Sequence, residues 1–274
     1  VVEITVVTQD TRGGVQPYAA LARALVDAGH SVRAVAPAEL AWLFERVGVN
    51  CLQLDGMAAE QSHDVALEAQ GSQHGGLRSA ARAIAKRIPE WATQVRGFAD
   101  GSDILTGGVG GSIIGAPVAA ALGVPWVPAH LQPVGALNAD YPGVLMTGIP
   151  RAAGAGNLLG QLLTEAAIRL PFQGAQRAAR RALGETTRRA PRSPGAAYGI
   201  SPSVIHLRDN SRRNRIVTGY WFDQSESLIL PPEVEDFVAR GGEQSVVSIG
   251  FGSMITADPV GLRELLVAAG RAAG

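Results

Sequence analysis

The chain has 274 residues, 46% of them hydrophobic, with 34 glycines, 16 prolines, and 24 basic against 24 acidic residues. That length and hydrophobic share allow one large core or two smaller ones and exclude a disordered or collagenous chain, while the zero net charge argues against a nucleic-acid partner, which calls for a basic face. A single cysteine, Cys51, excludes an internal disulfide and fits a reducing, cytoplasmic setting.

Residues 2 to 7 form a short run dominated by Val and Ile and read as a buried strand. The next stretch, TQDTRGG, is a glycine turn. Apolar residues at Val15, Tyr18, Leu21, Ala22 and Leu25 have helical spacing, and Gly29 ends that helix. SVRAVAP reads as a second strand, LAWLFERVG as a helix closed by glycine, and NCLQL as a third strand. Strands separated by helices imply right-handed βαβ units and a parallel sheet. Cys51 lies in that third strand and reads as a small buried hydrophobe.

Residues 56 to 75 are polar and irregular and read as a loop. Helical spacing returns over 77 to 99. SDILTGG reads as a strand running into glycines, GSIIGAPVAAALG as a helix and VPWVPAH as another strand. Residues 131 to 153 carry many Pro, Gly and Asn residues, and so long a loop inside a compact domain is often functional. Helical patterning resumes over 155 to 184, broken by Pro171, and SVIHL reads as a short strand. LILPPEVEDFVARGG, residues 228 to 242, reads as a linker, and QSVVSIGFGSM then restarts a strand, glycine, helix pattern. One strand and one helix cannot bury their apolar faces alone, so a further domain is expected to begin there and the chain is expected to be a fragment. No apolar run reaches the length of a membrane span, although contact with a membrane surface stays open.

Four stretches in order carry a resemblance: TRGGVQPYAALARALVDAGHSVRAVAP, ALGVPWVPAHLQP, VTGYWF and VVSIGFGSM. Together they resemble inverting nucleotide-sugar glycosyltransferases of the antibiotic and sterol branch, which place two Rossmann-like domains across a cleft (the GT-B fold). The resemblance implies an acceptor-binding domain over 1–225, a linker over 226–242, and the first strand-helix unit of a nucleotide-sugar donor domain over 243–274. The donor domain's His-Gly-Gly signature does not occur in this chain. It further implies transfer of a sugar from a nucleotide-diphosphate donor, used as co-substrate, to a hydroxyl of a lipophilic small molecule. No tightly bound cofactor and no metal are implied, and His63 and His74 lack metal-ligand spacing.

In the resembling enzymes the first turn reads Gly-Thr-Arg-Gly-Asp before Val-Gln-Pro, and its Asp takes the acceptor's proton. This chain reads Asp10-Thr11-Arg12-Gly13-Gly14. Gly14 stands at the base position and Asp10 at the first glycine. Asp10 is therefore a displaced base, or another base or water serves, or the protein is inactive and its acceptor domain holds a hydrophobic molecule without turnover. Taken alone, Asp10 also suits a helix cap or turn, and Gly13 and Gly14 suit a turn with positive φ.

Carried over residue by residue, the acceptor side comprises Arg12, Gly13, Gly108, His130, Gln132, Leu137 and Met146. For Arg12 an exposed or structurally paired arginine is the more common outcome, and His130 reads equally as a locally bonded loop histidine. TGGVGGSIIG, residues 106 to 115, resembles a phosphate cradle but lacks the GxGxxG spacing and a following acidic residue, which argues against NAD. Its glycines read as close packing and acceptor-facing backbone. Gly250, Gly252 and Ser253 match the donor-side turn, where a helix N-terminus meets the leaving diphosphate. The acceptor pocket is expected between the first turn, the 106–115 turn and the 130–146 loop, with apolar walls from Pro133, Leu137, Leu145 and Met146.

Overall fold

The computed structural model describes residues 1–55, 75–135, 143, 145, 154–185, 191–204, 214–223, 230–240, 246–252 and 258–273. Side chains of the helical residues 75–84 and of residue 273 are likewise left undescribed.

The first three βα steps follow the sequence reading. Strand β1 (Glu3–Val7) leads into helix α1 (Arg12–Asp27), then β2 (Ser31–Pro37), a short α2 (Trp42–Glu45) and β3 (Asn50–Leu54). A long α3 (Gly75–Phe98), β4 (Ile104–Gly107), α4 (Ser112–Leu122) and β5 (Trp126–His130) complete the central part. Then come α5 (Ala155–Arg169), a 3-10 turn at Leu170–Phe172, α6 (Gln173–Ala182), β6 (Ala196–Tyr198) and β7 (Arg215–Val217). Helices α7 (Pro232–Arg240) and α8 (Pro259–Ala273) follow.

The strands form one parallel sheet of seven in the order β3-β2-β1-β4-β5-β6-β7. This is a Rossmann-like α/β fold, in which strand order reverses beside β1. Both faces of the sheet are covered, so β1 and β4 are buried along nearly their whole length rather than at alternate residues. Ile4 and Val6 of β1 pack with Val15, Tyr18 and Ala22 of α1 and with Leu43 and Phe44 of α2. Val7 packs on the other face with Trp91, Leu105, Ile114 and Trp126. Thr5 reaches the same face, where its hydroxyl lies 2.7 Å from the Ser102 hydroxyl.

Three details depart from the sequence reading. Of the strand expected at SVIHL, Ser203 and Val204 lie in an exposed turn and residues 205–207 are outside the described residues, while a strand the sequence reading did not expect, β6, forms at Ala196–Tyr198. Ala197 and Tyr198 pair with Ala129 and His130, and the buried Tyr198 anchors this edge of the sheet through its bond to the Val134 carbonyl at 3.1 Å. Val246 to Gly250 form no strand and are exposed. Apolar residues gain strand structure only where a neighbouring strand takes their backbone groups, and among the described residues this stretch has none. Cys51 is half-buried rather than buried, and burial with the nearby Glu45 charge pushes its thiol up to about 12, leaving it a poor nucleophile.

Candidate functional site

In an open parallel sheet, ligands bind outside the carboxyl ends of the strands where strand order reverses. Here that point lies between β1 and β4. The turn after β1 and the turn after β4 meet there, with the segment after β5 beside them. They enclose a cleft of about 410 Å³.

Glycines allow the two turns to approach closely. A Cβ on Gly107 or Gly111 would collide with the Val7 carbonyl oxygen, and one on Gly110 with the Gln9 carbonyl oxygen. A Cβ on Gly108 would meet the Tyr18 hydroxyl, and one on Gly115 the Trp126 ring. None of these glycines has a positive φ. Their role is to let backbone touch backbone, so the turn after β4 presents bare peptide groups to the cleft.

The turn after β1 is pinned from both sides. The Thr8 amide and hydroxyl both donate to the Val35 carbonyl, at 2.8 and 2.7 Å. Asp10 Oδ1 accepts the Thr11 amide at 2.7 Å. Helix α1 begins at Arg12, so Gly13 and Gly14 belong to its first turn and neither has positive φ. This corrects the reading of those glycines as a left-handed turn. At Gly14 a Cβ would fall on the Asp10 carboxyl group and lie 2.6 Å from Asp10 Cβ. At Gly13 a Cβ would meet nothing within 4 Å.

The Asp10 carboxylate therefore occupies the volume from which a side chain at position 14 would project. It has open surface, but the concave wall around it removes much of its water. Desolvation is the dominant effect and raises its pKa above the ordinary carboxylate value, opposed by the hydrogen bonds from Thr11. The buried Tyr18 donates to the Ala129 carbonyl, and burial together with the Asp10 charge raises its pKa. Tyr18 also meets the Trp221 ring edge-on at 5.6 Å, so Trp221 packs onto the core, whereas Phe222 is exposed.

Asp10, Gly13, Gly14, Gly108 and Gln132 all line the cleft. Thr8, Gln9, Tyr18 and Leu131 line it as well, and the sequence reading assigned none of these a ligand role. Helical spacing marks Tyr18 only as one apolar position of a helix face. Arg12 lies elsewhere: its guanidinium bonds to Gln16 at 3.0 Å and stacks 5.6 Å from the Trp42 ring. His130 is also absent from the lining. It is buried against Tyr198, with ring centroids 5.4 Å apart. Burial, with the Arg169 and Arg215 charges, lowers its pKa to about 4. The expected apolar walls are corrected in part, because Pro133 and Leu145 do not line the cleft and its described walls are largely peptide groups and polar side chains. Leu137, Met146 and Ser253 lie outside the described residues. Gly250 and Gly252 lie in the exposed 246–252 stretch, where Gly252 has a left-handed φ of 62°. Among the described residues no cluster of His, Cys, Asp or Glu could hold a metal ion, and no helix is long and apolar enough to cross a membrane.

No protein-family profile matches the chain. By sequence it is similar to fungal proteins named sterol 3-beta-glucosyltransferase. One from Neurospora crassa is 28% identical over 273 residues, which is 96% of this chain and 17% of the relative. One from Candida albicans is 29% identical over 279 residues, 98% of this chain and 18% of the relative. The chain thus spans under a fifth of the length of these curated relatives. By structure it is similar to the glycosyltransferase SnogD from Streptomyces nogalater, with a TM-score of 0.53 at 16% identity over 84% of this chain and 54% of that one. The Streptomyces glycosyltransferase SsfS6 gives 0.51 at 16% identity over 89% of this chain and 65% of that one. The Rossmann-like α/β fold is therefore one it shares with these Streptomyces glycosyltransferases, and its sequence relatives carry the name sterol 3-beta-glucosyltransferase.

Proposed function

We propose that the chain is the acceptor-binding part of an inverting glycosyltransferase, which moves a sugar from a nucleotide-diphosphate donor to a hydroxyl of a lipophilic small molecule in the cytoplasm. Asp10 serves as the base. The observation that carries this reading is the overlap of the Asp10 carboxyl with the volume a residue-14 side chain would fill. Where the resembling enzymes read Gly-Thr-Arg-Gly-Asp, this chain reads Asp-Thr-Arg-Gly-Gly. The carboxylate has changed its point of attachment and kept its place.

In that role the ionised Asp10 takes the proton of the acceptor hydroxyl. The oxygen's electron pair attacks the anomeric carbon from the face opposite the diphosphate. The bond between that carbon and the phosphate oxygen breaks, and its electron pair leaves with the nucleoside diphosphate. One displacement gives one inversion. A positioned base contributes roughly 10²–10⁴-fold to such a step. The similarity of the chain to sterol glucosyltransferases supports a lipophilic acceptor. A related SsfS6 structure, complexed with thymidine diphosphate, has a TM-score of 0.50 and supports a nucleotide-linked donor. Residues 1–225 form the acceptor domain, 226–242 the linker, and 243–274 open the donor domain, with Gly250, Gly252 and Ser253 approaching the diphosphate.

The test is a transfer assay on a protein carrying both domains, incubated with nucleotide sugars and hydrophobic alcohols and read by mass spectrometry. Glycosylated product from the wild type, and its near-complete loss in Asp10→Asn, is the expected outcome. Full activity in Asp10→Asn overturns the assignment of the base.

A further inference from the structure

Gln9 has no task in the reaction just described. It is 5% exposed, and neither its amide nitrogen nor its amide oxygen has a hydrogen-bond partner. A buried amide left unpaired is costly, and native structures rarely keep one without a partner. The residue lines the cleft directly before the proposed base. Its backbone has little freedom to carry the side chain away, since Thr8 is bonded twice to Val35, Asp10 holds the Thr11 amide, and the Gln9 carbonyl abuts Gly110. The other polar side chains of this turn already have work: the Thr8 hydroxyl is taken by the Val35 carbonyl and the Asp10 carboxylate by Thr11.

We infer that Gln9 reads a second polar group on the acceptor, next to the hydroxyl that Asp10 deprotonates. A primary amide offers a donor and an acceptor on one planar group. A hydroxyl both donates and accepts, and so satisfies both. The acceptor class is therefore one with a second hydroxyl beside the reacting one, a vicinal diol on an otherwise apolar frame, rather than an alcohol whose only polar group is the reacting one. The polar character of the described walls fits a ligand whose inner end is polar. This inference rests on the reading of the cleft as an acceptor site, and not on Asp10 being the base.

The test uses the 274-residue chain, wild type and Gln9→Leu, titrated calorimetrically with a monohydroxy steroid and with the same steroid carrying a vicinal diol. The wild type is expected to bind the diol about 10-fold more tightly, the worth of a satisfied hydrogen-bond pair. Gln9→Leu is expected to bind both steroids as the wild type binds the mono-alcohol. Without ligand, Gln9→Leu should melt at or above the wild-type temperature, because the amide it removes is unpaired. Equal affinities in the wild type, a diol preference that survives in Gln9→Leu, or a lower melting temperature each overturn the inference. Binding of neither steroid overturns it together with the acceptor-site reading. A diol preference that depends on Gln9, in a protein whose Asp10→Asn variant still transfers sugar, leaves the inference standing and removes only the base assignment.

Discussion

The carboxyl group of Asp10 lies where the side chain of any residue at position 14 would have to begin. Asp10 precedes the extended N-cap Thr11 and Gly14 lies in the first turn of α1, and the bend at the helix entry brings the Asp10 carboxyl onto the site of a residue-14 Cβ. Only one of them can carry a side chain of any size. A carboxylate on either residue reaches the same corner of the cleft, beside the start of a helix whose dipole favours the ionised form. With Asp10 placed as it is, a side chain at position 14 has no room there.

The close approach of the two turns gives a direct test by denaturation. Gly110→Ala and Gly111→Ala place a Cβ against the carbonyl oxygens of Gln9 and Val7. Backbone cannot swing aside as a side chain does, so each should destabilise the protein by about 1–3 kcal/mol, as overpacking does. Gly13→Ala meets no atom within 4 Å and sits in a helix without positive φ. It should stabilise by about 0.5–1 kcal/mol. Urea midpoints at constant slope would measure all three.

His130 makes stability depend on pH. Its pKa is about 4 in the folded protein against 6.5 unfolded, because burial and the Arg169 and Arg215 charges oppose the imidazolium. Between these values the unfolded chain binds more protons than the folded one, so stability is complete above 6.5 and falls as the pH drops toward 4. The loss is about 3 kcal/mol at most, from 1.36 kcal/mol per pKa unit. His130→Phe should remove this part of the pH dependence, measured by urea denaturation at pH 7 and pH 5.

The sheet was legible in the sequence because its central strands are buried on both faces and spell themselves as Val and Ile runs between glycine-closed helices. The edge was not. Ala196–Tyr198 is a three-residue strand whose existence depends on pairing with Ala129 and His130, far away in sequence. The meeting of the first turn with the 106–115 turn and with Gln132 followed from all three trailing parallel strands. The partners of Arg12 and His130 did not, since stacking on Trp42 and burial against Tyr198 are set by tertiary packing. Gln9 gave no local signal either. A glutamine after a strand is an ordinary loop residue until both its amide atoms prove buried and unpaired.

The raised pKa of Asp10 has two consequences of opposite sign. Activity needs the ionised form, so the rate should climb with pH through the raised Asp10 value, and this limb should vanish in Asp10→Asn. Stability runs the other way. Above the unfolded pKa the folded protein holds the proton more tightly than the unfolded chain, so stability declines as pH rises through the folded value. Asp10→Asn should therefore gain melting temperature relative to the wild type at pH 7 and not at pH 3. A gain of equal size at both values would assign the effect to packing rather than charge.

The exchange of positions itself can be reversed. Gly14→Asp alone pushes a second carboxylate onto the first, and relief of the collision requires the Asp10 side chain to leave its bond to the Thr11 amide. That single variant displaces Asp10 from its bond to Thr11 and should lose activity and stability together, although it installs the residue that the resembling enzymes have. Asp10→Gly alone removes the base and should lower the transfer rate by roughly 10²–10⁴-fold. The double variant Asp10→Gly with Gly14→Asp clears the corner and refills it from the other side. It should recover most of the lost rate, within about 10-fold of the wild type given how steeply rate depends on placement of the base. Such recovery from two damaging changes is a strong coupling between residues in contact. Thermal melts of all four proteins separate folding from chemistry. If the double variant folds as the wild type does and stays as slow as Asp10→Gly, the carboxylate at this corner is not the base, and the exchange of Asp and Gly along the turn has only a structural meaning.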